Sequence, residues 1–123
     1  MSNKSDWDLD LSFGQEGEVL VNKLLTSPID TVEVKRDRRW KETGNLYLEM
    51  FCFSEKENVW YPSGLNATKA THWSFVLEDI VVTVPTAKLK KVVQLKGRKV
   101  EMLRPEYSTR GYLIKWTDVA IQN

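Results

Sequence analysis

The chain has 123 residues, a hydrophobic fraction of 41%, a charged fraction of 28% and a formal net charge of +1. These values match average globular composition, so they exclude a disordered chain, and this length supplies apolar side chains for one core rather than two. There is no apolar run of membrane-spanning length, and the first ten residues are polar and acidic. We therefore predict a cytoplasmic protein without a membrane partner, a single domain over residues 1–123 that is flexible over residues 1–11.

The first half of the chain predicts one helix and two strands. Apolar residues recur at helical spacing over Phe13–Leu25, and Ser27-Pro28 then ends the helix. Thr31–Asp37 alternates valines with charged residues, which is the pattern of a half-buried strand, and Asn45–Ser54 is again rich in β-forming residues. A charged loop that ends at Gly44 separates these two strands, so we predict that they form a hairpin.

The second half predicts further strands and a basic helix. The predicted elements are a short strand Val59–Tyr61, one strand Phe75–Val84 that the acidic pair Glu78-Asp79 could interrupt, a helix Thr86–Leu95 after Pro85 and before Gly97, and strands Val100–Leu103 and Tyr112–Trp116. In the helix, Leu89, Val92 and Val93 should face the core while the lysines stay in solvent. The fold class that follows is α+β, with a central mixed β-sheet flanked by helices.

Charge is distributed unevenly along the chain. The first eighteen residues contain five acidic residues and one basic residue, whereas the segment from Lys88 to Arg110 contains eight basic and two acidic residues. A basic segment of this kind suits a phosphate-backbone partner, and the alternative is a solvated helix face that binds nothing.

A cluster of charged residues on the predicted hairpin is the first candidate for chemistry. Glu33, Lys35 and Asp37 project from one face of a strand, and a hairpin partner would bring Glu49 close to Asp37. Crowded carboxylates repel unless they bind a divalent cation, and oxygen ligands with open positions select Mg²⁺ or Mn²⁺. A neighbouring lysine can stabilise charge that develops on a phosphate. The alternative is a solvated strand edge whose charges pair with one another.

Four segments carry a resemblance to a known family: Gly17-Glu18, then Val32-Glu33-Val34-Lys35-Arg36-Asp37, then Thr43-Gly44-Asn45, then Leu48-Glu49. Together they resemble small phage-encoded proteins of the PD-(D/E)XK nuclease superfamily, which includes Holliday-junction resolvases. The resemblance implies a restriction-endonuclease-like αβββαβ core and a magnesium-dependent DNA endonuclease. It further implies a branched DNA substrate, a homodimer and, for a phage-encoded protein, the host cytoplasm.

The resemblance leaves two assignments of the motif open. In the first, which we prefer, Asp37 is the motif aspartate, Glu49 is the following glutamate, and Lys35 replaces the lysine expected where Phe51 stands. In the second, Glu33 and Lys35 are the Glu-x-Lys pair, and the aspartate is Asp30 or lies within residues 6–10. In both assignments, the resemblance makes Glu18 a metal ligand. In the first assignment, Glu33 either binds the metal or supports the metal site.

Basic and aromatic residues outside this cluster are candidates for DNA contacts. The predicted set is Arg38, Arg39, Trp40, Lys41, Lys88, Lys91 and Arg110. Packing inside the protein is the alternative for Trp40. Two other functions stay open on the sequence: a non-catalytic nucleic-acid-binding protein that keeps the nuclease fold, and a small viral protein that binds a host protein.

Overall fold

The structure is a computed structural model that describes residue 15, residues 30–37 and residues 39–121. Internal contacts divide the chain into Met1–Asp30 and Thr31–Asn123, and the second unit is described here. The predicted helix Phe13–Leu25 lies outside the described residues except for Gln15, which is helical. The predicted metal ligand Glu18 and the predicted DNA contact Arg38 also lie outside them.

The described residues form seven strands, three short α-helices and one 3₁₀ turn. In chain order these are β1 (Val32–Arg36), α1 (Trp40–Thr43), β2 (Asn45–Ser54), β3 (Val59–Pro62), the 3₁₀ turn Gly64–Asn66, β4 (His72–Leu77), β5 (Ile80–Pro85), α2 (Thr86–Lys96), β6 (Arg98–Met102), β7 (Thr109–Lys115) and α3 (Trp116–Ala120). The predicted α+β class is confirmed. Among these elements, no helix is long and apolar enough to cross a membrane.

The strands form two sheets where the sequence predicted one central sheet. The three-stranded sheet has the order β1-β4-β5, with β1 parallel to β4 and β4 antiparallel to β5. The four-stranded sheet has the order β3-β2-β7-β6 and is antiparallel throughout. Glu33 and Lys35 therefore lie in one sheet and Glu49 lies in the other, while Asp37 directly follows β1.

The predicted hairpin of β1 and β2 is wrong. Strand β1 pairs with β4 in the register Glu33 with Trp73 and Lys35 with Phe75, while β2 pairs with β3 and β7. The physical reason lies between β1 and β2, where the charged segment closes into helix α1 instead of a tight hairpin turn. Residues Glu42 and Thr43 both donate backbone hydrogen bonds to the carbonyl of Arg39, at 3.1 Å each.

Two boundaries also differ from the prediction. The segment Phe75–Val84 is two antiparallel strands, β4 and β5, because the chain reverses at Glu78, whose φ of 61° is a turn conformation. The interruption does fall at the predicted acidic pair. The last strand ends at Lys115, and Trp116 begins α3 instead of closing the strand.

Helix α2 packs against both sheets in the core. Leu89 and Val93 of α2 are buried, together with Leu46 of β2, Phe75 of β4 and Ile114 of β7. Burying side chains of this size contributes roughly 2 kcal/mol each, which makes this cluster the main source of stability. The predicted inward face of α2 is confirmed, since Lys88, Lys90 and Lys91 remain exposed.

Candidate functional site

A cavity of about 550 Å³ lies between the edge strand β1 and one face of the four-stranded sheet. Two of the four predicted metal ligands line it, Asp37 and Glu49. Four cationic residues line it as well, and these are Lys35, Arg36, Arg39 and Arg104. Sequence-distant carboxylates and cations thus share one cavity even though the predicted hairpin does not form.

Asp37 joins the end of β1 to helix α1 and to β2. Its Oδ1 accepts a hydrogen bond from the backbone N–H of Arg39 at 2.8 Å, a local turn that aspartate commonly makes. Its Oδ2 accepts a hydrogen bond from the backbone N–H of Tyr47 at 3.2 Å. Since Tyr47 and Glu49 lie two residues apart on the same face of β2, their Cα atoms are roughly 7 Å apart. Both carboxylates line the cavity.

A β-bulge in β2 determines which side chains face the cavity. Glu49 pairs with Gly111, but Phe51 pairs with Arg110, so two steps along β2 correspond to one step along β7. The extra residue turns Phe51 to the opposite face of the sheet from Glu49. Phe51, where the first assignment expects a lysine, therefore does not line the cavity.

Glu49 is engaged by a tyrosine from the loop between β6 and β7. The phenol of Tyr107 donates a hydrogen bond to Glu49 Oε1 at 2.8 Å. Burial of the phenol raises the pKa of Tyr107 far above its usual value, and the hydrogen bond to Glu49 raises it further. Burial also raises the pKa of Tyr47, which the hydrogen bond with Thr109 partly offsets. The neutral phenol therefore stays on the carboxylate across the ordinary pH range.

The Tyr107 contact predicts a pH dependence of stability. Because the folded protein holds the phenol proton more tightly than the unfolded chain, the contribution to the free energy of unfolding is complete below about pH 10 and is lost as the pH rises further. We expect the Tyr107→Phe variant to lose less stability than the wild type between pH 9.5 and 11. Urea unfolding in EDTA measures this, and parallel curves for the two proteins would contradict it.

Lys35 and Glu33 lie at the exposed edge of β1. Lys35 Nζ is 3.0 Å from Glu33 Oε1 and 5.4 Å from the centre of the Trp73 ring. These contacts hold the ammonium group beside the cavity, by ion pairing and by attraction to the aromatic face. Lys35 lines the cavity and Glu33 does not, while Val34 on the other side of β1 is 63% exposed.

The predicted DNA contacts are distributed over several surfaces. Arg39 lines the cavity, and Lys41 forms an ion pair with Glu78. Trp40 is half-buried, and the centre of its ring is 6.0 Å from that of Trp116 in an edge-to-face arrangement. This is the packing inside the protein that was the alternative to a DNA contact. Lys88 and Lys91 are exposed on α2, and Arg110 lies on the face of the four-stranded sheet opposite the cavity.

The cavity is lined by carboxylates, which are the type of ligand that a divalent cation prefers. Carboxylate oxygens are the ligands that Mg²⁺ and Mn²⁺ prefer, and each carboxylate retains acceptor sites beyond the hydrogen bonds described above. Among the residues that the structure describes, no group of three or more His, Cys, Asp or Glu comes together. Asp37 and Glu49 are the two carboxylates among the described residues that line the cavity.

Sequence reasoning missed Tyr107 altogether. The residue lies 58 positions from Glu49, in a loop that bends back through hydrogen bonds between Ser108 Oγ and the backbone of Arg104. No local pattern connects this loop with β2, because their contact depends on the pairing of β7 with β2. The basic segment from Lys88 to Arg110 includes Arg104, but its charge gave no indication of the cavity.

Comparisons with protein-family models, with curated proteins and with solved structures find no match to this chain.

Proposed function

We propose that the cavity hydrolyses phosphodiester bonds of DNA with the help of Mg²⁺ or Mn²⁺. The observation that carries the proposal is that Asp37, Glu49 and Lys35 line one cavity, although Lys35 and Glu49 belong to different sheets. Two carboxylates and a lysine around a space that admits a phosphate are suited to this chemistry. The arrangement favours the first motif assignment, because Asp37 and Glu49 line the cavity whereas Glu33 does not.

Each group in the cavity has a role in this proposal. Asp37 and Glu49 would hold the metal ion, which lowers the pKa of bound water and stabilises charge on the phosphate. Lys35 would stabilise the negative charge of the phosphate that is attacked. Arg39 and Arg104, which also line the cavity, would bind the phosphates on either side of it.

The experiment is metal-dependent cleavage by the wild-type protein. Purified protein is incubated with supercoiled plasmid and with a synthetic four-way junction, in Mg²⁺, in Mn²⁺ and in EDTA. We expect nicked plasmid in either metal and intact plasmid in EDTA. Equal cleavage with and without EDTA would sink the assignment of the carboxylates to a metal.

A second candidate is binding of nucleic acid without hydrolysis. One observation favours it: Asp37 and Glu49 already accept hydrogen bonds from the protein, two at Asp37 and one at Glu49. Carboxylates used in this way can serve the fold alone. The same experiment separates the two candidates, since retention of the junction in a gel without cleavage in either metal would favour the second.

A further inference from the structure

A second groove lies on the other face of the four-stranded sheet. It has a volume of about 420 Å³, and its lining includes Met50, Phe51, Lys99, Glu101, Arg110 and Tyr112. The bulge in β2 creates it, because the bulge turns Phe51 away from the cavity and onto the same face as Arg110. Aromatic and charged side chains therefore line the same groove.

The aromatic and cationic groups of this face are already ordered. The guanidinium of Arg110 lies 3.9 Å from the centre of the Trp60 ring, and its Nε donates to Glu101 Oε1 at 3.3 Å. The ring of Trp60 is in turn 5.2 Å from that of Phe53. Arginine has five N–H donors, so the bond to Glu101 leaves four of them for a ligand, and Arg110 lines the groove. A ligand would find Arg110 in place and would lose little entropy in ordering it.

The Phe51 ring can accept a planar ligand. It lines the groove and is 37% exposed, which is unusual for a phenylalanine in the middle of a four-stranded sheet. An open antiparallel sheet with exposed aromatic rings and neighbouring cations is a surface on which unpaired bases stack. Lys99, which lies opposite Tyr112 in the β6–β7 pairing, supplies a second cation at the rim.

The edge strand β6 connects the groove with the cavity. Lys99 and Glu101 of β6 line the groove, whereas Met102 lines the cavity on the other face, together with Arg104 just beyond the strand. Because β6 lies at the edge of its sheet, a nucleic-acid backbone can pass around it from one face to the other. The basic residues along this edge offer phosphate contacts on both sides.

We propose that the groove binds an unpaired base of DNA whose backbone passes around β6 towards the cavity. The substrate class would then be DNA with a single-stranded segment beside the cleavage position, as in a branched or flapped end. We infer this ligand because a base can stack on the aromatic rings, and because Lys99 and Arg110 can bind the phosphates beside it. The part that concerns cleavage rests on the proposed function, whereas binding in the groove does not.

The test measures binding in EDTA, where cleavage cannot contribute. Fluorescence anisotropy follows the binding of a labelled oligothymidylate and of a blunt duplex to the wild type, to Phe51→Leu and to Phe51→Trp. Loss of one stacked base weakens binding by about 1–3 kcal/mol, so we expect Phe51→Leu to bind the oligothymidylate about tenfold more weakly and the duplex unchanged. Phe51→Trp should keep wild-type affinity, because it restores a flat ring.

The matched control is Leu95→Ala, which removes an exposed apolar side chain (73% exposed) from helix α2. It should leave both affinities unchanged. Equal binding of oligothymidylate by the wild type and Phe51→Leu would overturn the proposal. So would a dimer in sedimentation that Phe51→Leu dissociates without any effect on oligothymidylate, because the groove would then hold a second copy of the chain.

The design separates this proposal from the proposed function. Failure of the wild type to cleave in any metal, with tenfold weaker oligothymidylate binding by Phe51→Leu, would sink the hydrolase and keep the groove. Cleavage that is intact in both proteins, with equal oligothymidylate binding, would keep the hydrolase and sink the groove.

Discussion

Replacing Glu49 by glutamine, or Asp37 by asparagine, is expected to lower the rate of plasmid nicking by about 100-fold or more. Each change removes a negative charge and preserves the size of the side chain. The glutamine oxygen can still accept the hydrogen bond of Tyr107, and the asparagine oxygen can still accept one of the two backbone hydrogen bonds at Asp37. The loss would therefore report on the charge that holds the metal rather than on the fold. The measurement is the initial rate of nicking in Mg²⁺.

Two acidic residues outside the cavity provide matched controls. Glu57→Gln in the turn between β2 and β3 and Asp79→Asn in the turn between β4 and β5 alter exposed carboxylates, and both should cleave at the wild-type rate. Urea unfolding of every variant separates loss of activity from loss of stability. Cleavage that persists in Glu49→Gln and Asp37→Asn but is lost in Glu33→Gln would move the site to the second motif assignment.

Replacing Gly64 by alanine is expected to destabilise the protein by about 3–4 kcal/mol. A Cβ at this position would lie 2.2 Å from the carbonyl oxygen of Glu49, and neither atom belongs to a flexible side chain. The φ of Gly64 is +53°, a conformation that costs alanine roughly 1 kcal/mol or more by itself. The chain around Glu49 would have to shift to admit the methyl group, so we also expect slower nicking. Thermal and urea unfolding measure the first effect.

Gly44→Ala is a control that isolates the cause. Gly44 also has a positive φ, of +73°, but a Cβ there would meet no atom within 4 Å. It should cost about 1 kcal/mol, from the backbone conformation alone. The difference between the two variants measures the close approach of Gly64 to β2. Equal destabilisation by both changes would show that the approach to Glu49 is unimportant.

The two faces of the four-stranded sheet suggest how one small protein could handle a branched substrate. The bulge after Glu49 directs that carboxylate to the cavity and Phe51 to the opposite groove. A single inserted residue thus separates a candidate site for phosphate chemistry from a candidate site for an unpaired base. Removing the bulge would place Glu49 and Phe51 on one face, since side chains alternate along a regular strand.

Local patterns in the sequence predicted individual elements well. Thr31–Asp37 and Asn45–Ser54 contain β1 and β2, since alternation and β-branched or aromatic residues act over a few neighbours. Helix α2 was predicted with its buried and exposed faces, because Pro85, the apolar spacing and Gly97 all agree. These signals lie within one element, so the rest of the chain is not needed to interpret them.

These local patterns did not predict which strands pair with one another. Nothing between Asp37 and Asn45 indicated that β1 would pair in parallel with β4, some forty residues further along the chain. Pairing depends on which buried surfaces fit together, and the short helix α1 removes the hairpin that adjacency suggested. Asp37, Glu49 and Lys35 nevertheless line one cavity, although the predicted hairpin that was expected to bring them together does not form.

The sequence by itself determined the α+β class, the extent of most strands, the amphipathic helix α2 and the charged segment around Asp37. These features follow from interactions between residues close in the chain. Only the tertiary structure decided that Asp37 and Glu49 line one cavity, that Tyr107 donates a hydrogen bond to Glu49, and that Phe51 lines the groove on the opposite face of the sheet. Each of these depends on contacts between distant segments, and a local pattern carries no information about which distant surfaces will pack together.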